Sequence, residues 1–504
     1  MKNCHLISIV LCLSVMFLAS CSKGGDYKNV LPKDAKVVVA IDGKAIMEKA
    51  SLKSDNLQKL QNKILQLVGA GLNAQDYKTI EAGVRTPTEL GVSLTDKIFV
   101  FSTTEGKETG LVIKVSDKGK VKNFLEILSR QLGQKVEEQD GYSFLRDNDY
   151  MLGTNGSALV LLTVSDKKED LIEYMTVLFK QKAEESYAKS EYFKKLQSQK
   201  GEVTAVAMLS ALPKSYSADL KMFLPSEAKL DEVYAVAGLL FEKGRVSIDG
   251  ECFTTNTALK AQMDSQKGAF GRIKGRFTKS FPISTPLVIA LNMDGAKASN
   301  LLGSGSDPFS GLMGGLGLDI DSFLTSMSGD IVAGVNSVSL TGETDATVMA
   351  EAKNGTPLND LKETFQMTGR LRTTAPNCFS MPLTANKLCY FGFKNGILYY
   401  TGNGATAARI GEKVDDNLSS APWRSKMEKS NCFVLLNTEA LMQSGSFRQM
   451  MSQNPQTAQV AMAFQDVSYV DFAVADKGKF NFEVVMKDRT VNVLEKLITL
   501  LALL

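Results

Sequence analysis

The side chains that carry most enzyme chemistry are thinly supplied in this chain. Of its 504 residues one is a histidine, His5, and it sits in an N-terminal apolar run that reads as a removable signal. The rest of the chain therefore offers no Ser-His or Cys-His nucleophile pair, no His-ligated zinc and no imidazole acid or base. Beyond the signal the cysteines are Cys21, Cys252, Cys378, Cys389 and Cys432, and none forms a C-x-x-C, which excludes a zinc ribbon or a thioredoxin-like site. Cys378 and Cys389 flank an expected turn at Leu383 to Asn386 and could form a disulfide across a hairpin; the competing expectation is two small buried thiols. The 55 acids keep a carboxylate pair open, since a glycosidase needs no histidine. No spacing singles out one pair, so no catalytic residue is assigned.

Nucleotide and metal patterns fail in detail. Gly43-Lys44, Gly106-Lys107 and Gly119-Lys120 lack the rest of a phosphate loop, and the Gly303 to Gly317 stretch does not join a strand to a helix. Asp319-Ile320-Asp321 opens like a calcium loop but has no closing glutamate. The S-x-x-K matches at Ser165–Lys168 and Ser186–Lys189 stand without companion motifs. No metal and no cofactor is expected. One electrostatic feature remains: Lys267, Arg272, Lys274, Arg276 and Lys279 run without an acid among them, interleaved with Phe270, Phe277 and Phe281. Such a pattern could contact membrane head groups at about 1 kcal/mol per charge, or a partner; the competing reading is a solvated linker.

The N-terminus carries the clearest chemistry. After Lys2, Leu6 to Leu18 is apolar without interruption, too short to cross about 30 Å of hydrocarbon but the length of a signal-peptide core. It ends in Leu18-Ala19-Ser20-Cys21. This resembles the bacterial lipobox at all four positions, which implies cleavage before Cys21 and a diacylglycerol thioether on its sulfur. Two or more acyl chains, at about 0.8 kcal/mol per buried methylene, hold a protein stably at a bilayer. Ser22 is not the aspartate associated with inner-membrane retention, so an outer-membrane lipoprotein is expected. Ser22-Lys23-Gly24-Gly25-Asp26 departs from the acidic cluster of surface-exported lipoproteins, which favours the periplasmic face over the alternative of the cell surface.

Composition bounds the remainder. Hydrophobic residues make up 44% and charged residues 22% of the chain, values of a globular protein. A formal charge of +3, from 58 bases against 55 acids, is too balanced for bulk-charge binding to nucleic acid.

The elements then repeat. Val37 to Ile41, Val203 to Ala207, Leu287 to Leu291 and Phe433 to Leu436 are apolar strand-like runs. Each is followed by a small or polar residue, a helix-compatible stretch and a hairpin turning near Gly106, Gly244, Gly342 or Gly478. A helix follows each hairpin behind an expected cap at Asp117, Thr255, Asn354 or Asp488. Asn155-Gly156 and Asn395-Gly396 mark hairpin turns at matching places, because both residue types tolerate positive φ. Tyr192 and Trp423 precede equivalent strands. The expected fold class is α+β: two similar tandem modules, each of antiparallel β-hairpins with helices packed on one face. The expected boundaries are a signal over 1–20, a lipidated tether over 21–32, modules over 33–266 and 284–504, and a basic linker over 267–283.

With the lipobox, its length and these strand–helix–hairpin and Asn-Gly features, the chain resembles a domain-of-unknown-function family of Bacteroidetes lipoproteins. The resemblance implies an envelope location and a two-half architecture, and it brings no activity. The functional expectation is a lipid-anchored, non-enzymatic binding or scaffold module whose partner is an envelope protein or a glycan. The alternative is a carboxylate-dependent hydrolase acting on glycan or peptidoglycan.

Overall fold

The computed structural model describes residues 26–50, 54–103, 108–146, 150–164, 171–213, 224–225, 228–302, 320–338, 344–366, 369–384, 387–452 and 464–503. Cys21 and the signal, the Gly303 to Gly317 stretch, Asp319 and the Ser165–Lys168 match lie outside the described residues. The chain divides into two compact units. The first comprises Met1–Ser217, Leu230–Gly250 and Arg489–Leu504, the second Ala218–Lys229 and Glu251–Asp488.

The first unit carries β1 (Val37–Ile41), β2 (Val92–Ser93), β3 (Ile98–Ser102), β4 (Glu108–Val115), β5 (Glu137–Gln139), β6 (Tyr142–Arg146), β7 (Tyr150–Thr154), β8 (Ala158–Val164), β9 (Val203–Met208) and β10 (Tyr234–Glu242). Nine of them pair antiparallel in the order β10–β9–β1–β3–β4–β8–β7–β6–β5, and β2 pairs with β4. Strand alternation puts Ile98, Leu111, Ile113, Leu145, Leu152 and Leu161 on one face. Helices Ser54–Val68, Ala74–Arg85 and Lys118–Leu132 cover it with Ile64, Val68, Ile80, Val84, Phe124 and Leu128. On the opposite face Tyr27 meets Phe99, which meets Phe193 of helix Glu191–Ser198. Met175 of helix Leu171–Lys180 fills the space left by Gly153 there.

After β11 (Arg245–Phe253), which crosses the boundary, the second unit carries β12 (Phe270–Gly271), β13 (Leu287–Met293), β14 (Met327–Val338), β15 (Thr344–Ala352), β16 (Arg372–Ala375), β17 (Cys378–Thr384), β18 (Lys387–Lys394), β19 (Ile397–Thr401), β20 (Cys432–Leu436), β21 (Val467–Ala475) and β22 (Lys479–Met486). Their antiparallel order is β22–β21–β20–β13–β14–β15–β19–β18–β17–β16. From β21 onward this is, position by position, the order of the first unit, with β21 for β10, β20 for β9, β13 for β1 and β19 for β8. The α+β class with two similar modules follows directly.

Register makes the equivalence residue-specific. Val37 faces Ser102 and Ala207, and Leu287 faces Val335 and Leu436. Counting outward, Tyr234 of β10 and Tyr469 of β21 occupy one position. Tyr192 stacks on Tyr234 at 4.0 Å, and Trp423 meets Tyr469 edge-on at 5.0 Å. A second agreement is in the lead-in. Tyr27, Leu31 and Pro32 stand at the same distance before β1 as Phe277, Phe281 and Pro282 before β13. Leu31 O accepts from Tyr187 N at 3.1 Å, and Phe281 O accepts from Leu418 N at 3.0 Å.

Residues 267–283, expected as a linker, therefore belong to the core of the second unit. Ile273, Phe277 and Phe281 are buried there with Val288, Trp423 and Phe433. Their burial is worth about 1.5–3 kcal/mol each, while the interleaved Arg272, Lys274, Arg276 and Lys279 stay exposed on the same segment. The boundaries also differ from the expected ones at the hairpin-following helices. Helix Val493–Leu503 follows β22 yet buries Leu494 and Ile498 against Ile46, Ala50 and Phe241 of the first unit. Helix Thr257–Gln266 lies in the stretch assigned to the second. Their caps shift with them. Asn256 Oδ1 accepts from Ala258 N and Leu259 N, and Asn492 Oδ1 from Leu494 N. Asp117 caps as expected, accepting from Lys120 N at 3.1 Å.

Candidate functional site

The basic stretch and the second Asn-Gly turn meet in one place. A cleft of about 300 Å³ in the second unit is lined by Arg276, Phe277, Lys394, Asn395, Ile397, Ile410, Gly411 and Glu412. Its position is fixed from below. Asp330 on β14 is fully buried and accepts from Lys274 N and Arg276 N, each at 2.9 Å, and from Asn292 Nδ2 at 2.8 Å. A carboxylate holding two successive-but-one backbone N–H groups clamps the 274–276 turn to the sheet, through charge-assisted bonds stronger than neutral ones. Phe277 and Ile410 form the apolar floor at 1% and 3% exposure.

The walls carry two cations, Arg276 and Lys394, and one acid, Glu412. Arg276 Nη1 pairs with Glu351 on β15, and Nη2 donates towards Asn395 O at 3.5 Å. Lys394 Nζ donates to Ala408 O at 3.2 Å, the last residue of helix Gly404–Ala408. Glu412 on the far wall is engaged by Arg409 Nε at 3.1 Å. A guanidinium keeps further donors in a rigid fork and an ammonium keeps two more. The arrangement suits a carboxylate, phosphate or sulfate group presented over an apolar floor. Asn395, which lines the cleft, and Gly396 form a tight turn at φ 54° and 74°.

The other basic residues are distributed elsewhere. Arg272 forms an ion pair with Asp476 at 2.7 Å. Lys274 and Lys279 are exposed and point away from the buried Ile273 and Phe277 on the same segment; the Lys267 side chain lies outside the described residues. Of the four whose side chains are described, only Arg276 lines the cleft.

Cys378 and Cys389 are free. Cys378 faces Gly392 and Cys389 faces Met381, so the two are three positions out of register and project to opposite faces of the β17–β18 hairpin. Cys378 packs with Phe277 and Trp423, and Cys389 with Phe379 and Phe391. A disulfide between them would need the hairpin to be rebuilt. Burial raises the thiols of Cys252, Cys389 and Cys432, which lowers the thiolate fraction a nucleophile needs.

Sequence spacing missed one buried charge cluster. Asp471 on β21 and Glu483 on β22 face each other across the hairpin. Lys426 stands between them, paired with Asp471 Oδ1 and 3.2 Å from Glu483 Oε2. Asp471 is 1% exposed. Two carboxylates bridged by an ammonium hold a cation where a hydrolase would hold water or a glycosidic oxygen, so this is the geometry of a structural ion triad. The available signal was an Asp inside the apolar run Val467 to Ala475. Among the described residues no group of His, Cys, Asp and Glu is arranged to hold a metal ion, and no helix is long and apolar enough to cross a membrane.

A family model, Domain of unknown function (DUF4836), matches residues 27–494. The chain belongs to the DUF4836 family. Its match begins at Tyr27, the first residue of the lead-in shared by both units, and reaches Leu494 of the terminal helix. No curated protein matches. Among solved structures, crystal form I of TP0453 aligns at 11% identity and a TM-score of 0.27, covering 49% of this chain and 87% of that one. Crystal form IV aligns at 12% identity and the same TM-score, covering 45% and 83%. Superpositions that loose carry no structural argument.

Proposed function

We propose that this DUF4836 protein is a cell-envelope lipoprotein, anchored through Cys21 in the outer membrane with its folded part on the periplasmic side, and that it is a binding module rather than a catalyst. The lipobox Leu18-Ala19-Ser20-Cys21 supports the anchor and the Bacteroidetes lipoprotein reading. The observation that carries the binding role is the cleft. It sets Arg276 and Lys394 over Phe277 and Ile410, held by the Asp330 clamp. The ligand it fits is an anionic group on an envelope glycan or on a protein partner.

The cleft is tested on the purified full-length lipoprotein in detergent, by calorimetric titration with acidic oligosaccharides and with inorganic phosphate. Binding that disappears in Lys394→Glu, with unfolding of the variant unchanged, supports the reading. Equal heats for wild type and Lys394→Glu, or no heat from any acidic probe, overturns it. Metabolic labelling with a fatty-acid analogue tests the anchor separately, and label in the Cys21→Ala protein would overturn that.

A further inference from the structure

We propose that the edge of the first unit built from Tyr27–Val30 and the Leu171–Ser190 segment is the face this protein turns towards the bilayer. The inference rests on anchoring at Cys21.

The argument is one of reach. Cys21 and Tyr27 are separated by six residue steps, and an extended chain spans at most about 3.3–3.6 Å per step, so the acylated sulfur lies within about 20 Å of Tyr27. A compact unit of over two hundred residues has a radius of gyration near 18 Å and is roughly 45 Å across. The tether is shorter than the unit is wide, so the unit cannot bring its far side to the membrane.

No slack is gained after Tyr27. Its hydroxyl donates to Lys97 O at 2.7 Å, and its ring lies 5.9 Å from Phe99. Gln181 Nε2 donates to Asn29 O at 2.7 Å and to Leu31 O at 2.8 Å. Ser186 Oγ donates to Lys28 O at 3.2 Å. The chain is thus fastened to the 171–190 segment as soon as it enters the fold.

The chemistry of that edge also fits. Helix Leu171–Lys180 buries Met175, Leu178 and Phe179 and turns Val177 outward at 56% exposure. Lys28, Lys182 and Lys189 are offset by Asp26, Glu184 and Glu185, so contact depends on the tether and on apolar surface rather than on lipid charge. Leu67, on helix Ser54–Val68, is equally exposed at 56% but lies on the other face of the sheet, with Ile64 and Val68 packed inward. A sheet and a helical layer, about 10 Å each, separate it from Tyr27.

The experiment compares those two positions. Val177→Cys and Leu67→Cys are labelled with a fluorophore in the full-length lipidated protein, with Cys252 and Cys432 changed to serine. The protein is placed in vesicles carrying a head-group nitroxide quencher, either all phosphatidylcholine or with added phosphatidylglycerol. Several-fold stronger quenching at 177 than at 67, in both lipid mixtures, is expected. Equal quenching at both positions, or stronger quenching at 67, overturns the proposal. Vesicle flotation keeps the premise separate: a wild-type protein that floats no better than Cys21→Ala removes the anchor, and the orientation with it.

Discussion

The two units share a strand order and a register, and they differ in where they hold charge. At the position of Val236 in the first unit, 1% exposed on β10, the second has Asp471, also 1% exposed. Where the first lead-in has Asp26, the second has Arg276, and Asn155 answers to Lys394. The first unit buries Asp76 on a helix, where Arg130 grips it through Nε at 3.0 Å and Nη2 at 2.7 Å, and Glu202 just ahead of β9, paired with Lys49 at 2.8 Å. The second places Asp330 and Asp471 inside the sheet. A repeated backbone tolerates such exchanges because strand pairing depends on main-chain bonds and face alternation. The sites on it vary independently. The two cations of the cleft, Arg276 and Lys394, accordingly stand where the first unit has Asp26 and Asn155.

The largest expected effect comes from breaking the charge cluster around Asp471, where the first unit has Val236. Lys426→Met leaves Asp471 and Glu483 opposed without a cation, and removing one partner of a buried ion pair costs about 3–5 kcal/mol. Removing both carboxylates as well, with Asp471→Val (the first unit has Val236 at that place) and Glu483→Gln added to Lys426→Met, should recover most of the loss. Trp423 is the only tryptophan and lies in the second unit, so urea unfolding followed by its fluorescence reads that unit. A triple variant as unstable as the single one would show that the two positions are not equivalent.

Next in size is the terminal helix. Ile498→Ala should cost about 2–4 kcal/mol, as a buried aliphatic truncated to alanine does, and the loss should fall on the first unit. The chain continues into this helix from β22, so position in sequence assigns it to the second. Hydrogen exchange distinguishes the two outcomes. Faster exchange across Gly43–Ala50 with the Trp423 signal unchanged is expected, and a shift in the tryptophan transition alone would contradict the packing against Ile46 and Ala50.

Acid should then act on a helix of the first unit. The hydrogen bonds from Arg130 hold the Asp76 carboxyl below its ordinary value, with burial opposing. A depressed folded-state pKa gives stability that is complete above the unfolded value of about 4 and is lost as pH falls through the folded one. Helix Ala74–Arg85 should loosen below about pH 4. In Arg130→Ala that part of the pH dependence disappears, which far-UV dichroism against pH can follow.

Much of this fold was legible because its signals are local. Alternating apolar runs gave the strands, Asp117 gave a cap, and the repeated order of elements gave two modules. What was missed has one physical character: it depends on what a segment packs against. The charges between Lys267 and Lys279 suggested solvent, while Phe277 and Phe281 supplied the burial. The Tyr27–Pro32 likeness to Phe277–Pro282 was the signal that would have shown it. Helix Val493–Leu503 is apolar in sequence whichever unit it joins. The cleft needed Arg276 and Lys394 to be brought together across more than a hundred residues, and composition holds no trace of that.

The Asn-Gly turns supply the smallest effect and the sharpest test of equivalence. Ala158 pairs with Asn155 where Ile397 pairs with Lys394, so the two dipeptides sit one position apart within the same turn. In the second unit both Asn395 and Gly396 have positive φ, whereas in the first only Gly156 does. Asn155 instead works through its side chain: Oδ1 accepts from Ser157 N and Ala158 N, each at 2.9 Å. The same substitution should therefore act differently in the two places. Asn395→Gly keeps what the position requires, tolerance of positive φ, and should be close to neutral. Asn155→Gly discards an acceptor for two backbone donors and should cost about 1 kcal/mol. The Asn395→Gly midpoint is read from Trp423 fluorescence, the Asn155→Gly midpoint from far-UV dichroism. Equal losses would mean that both turns work the same way, and that the one-residue offset is without consequence.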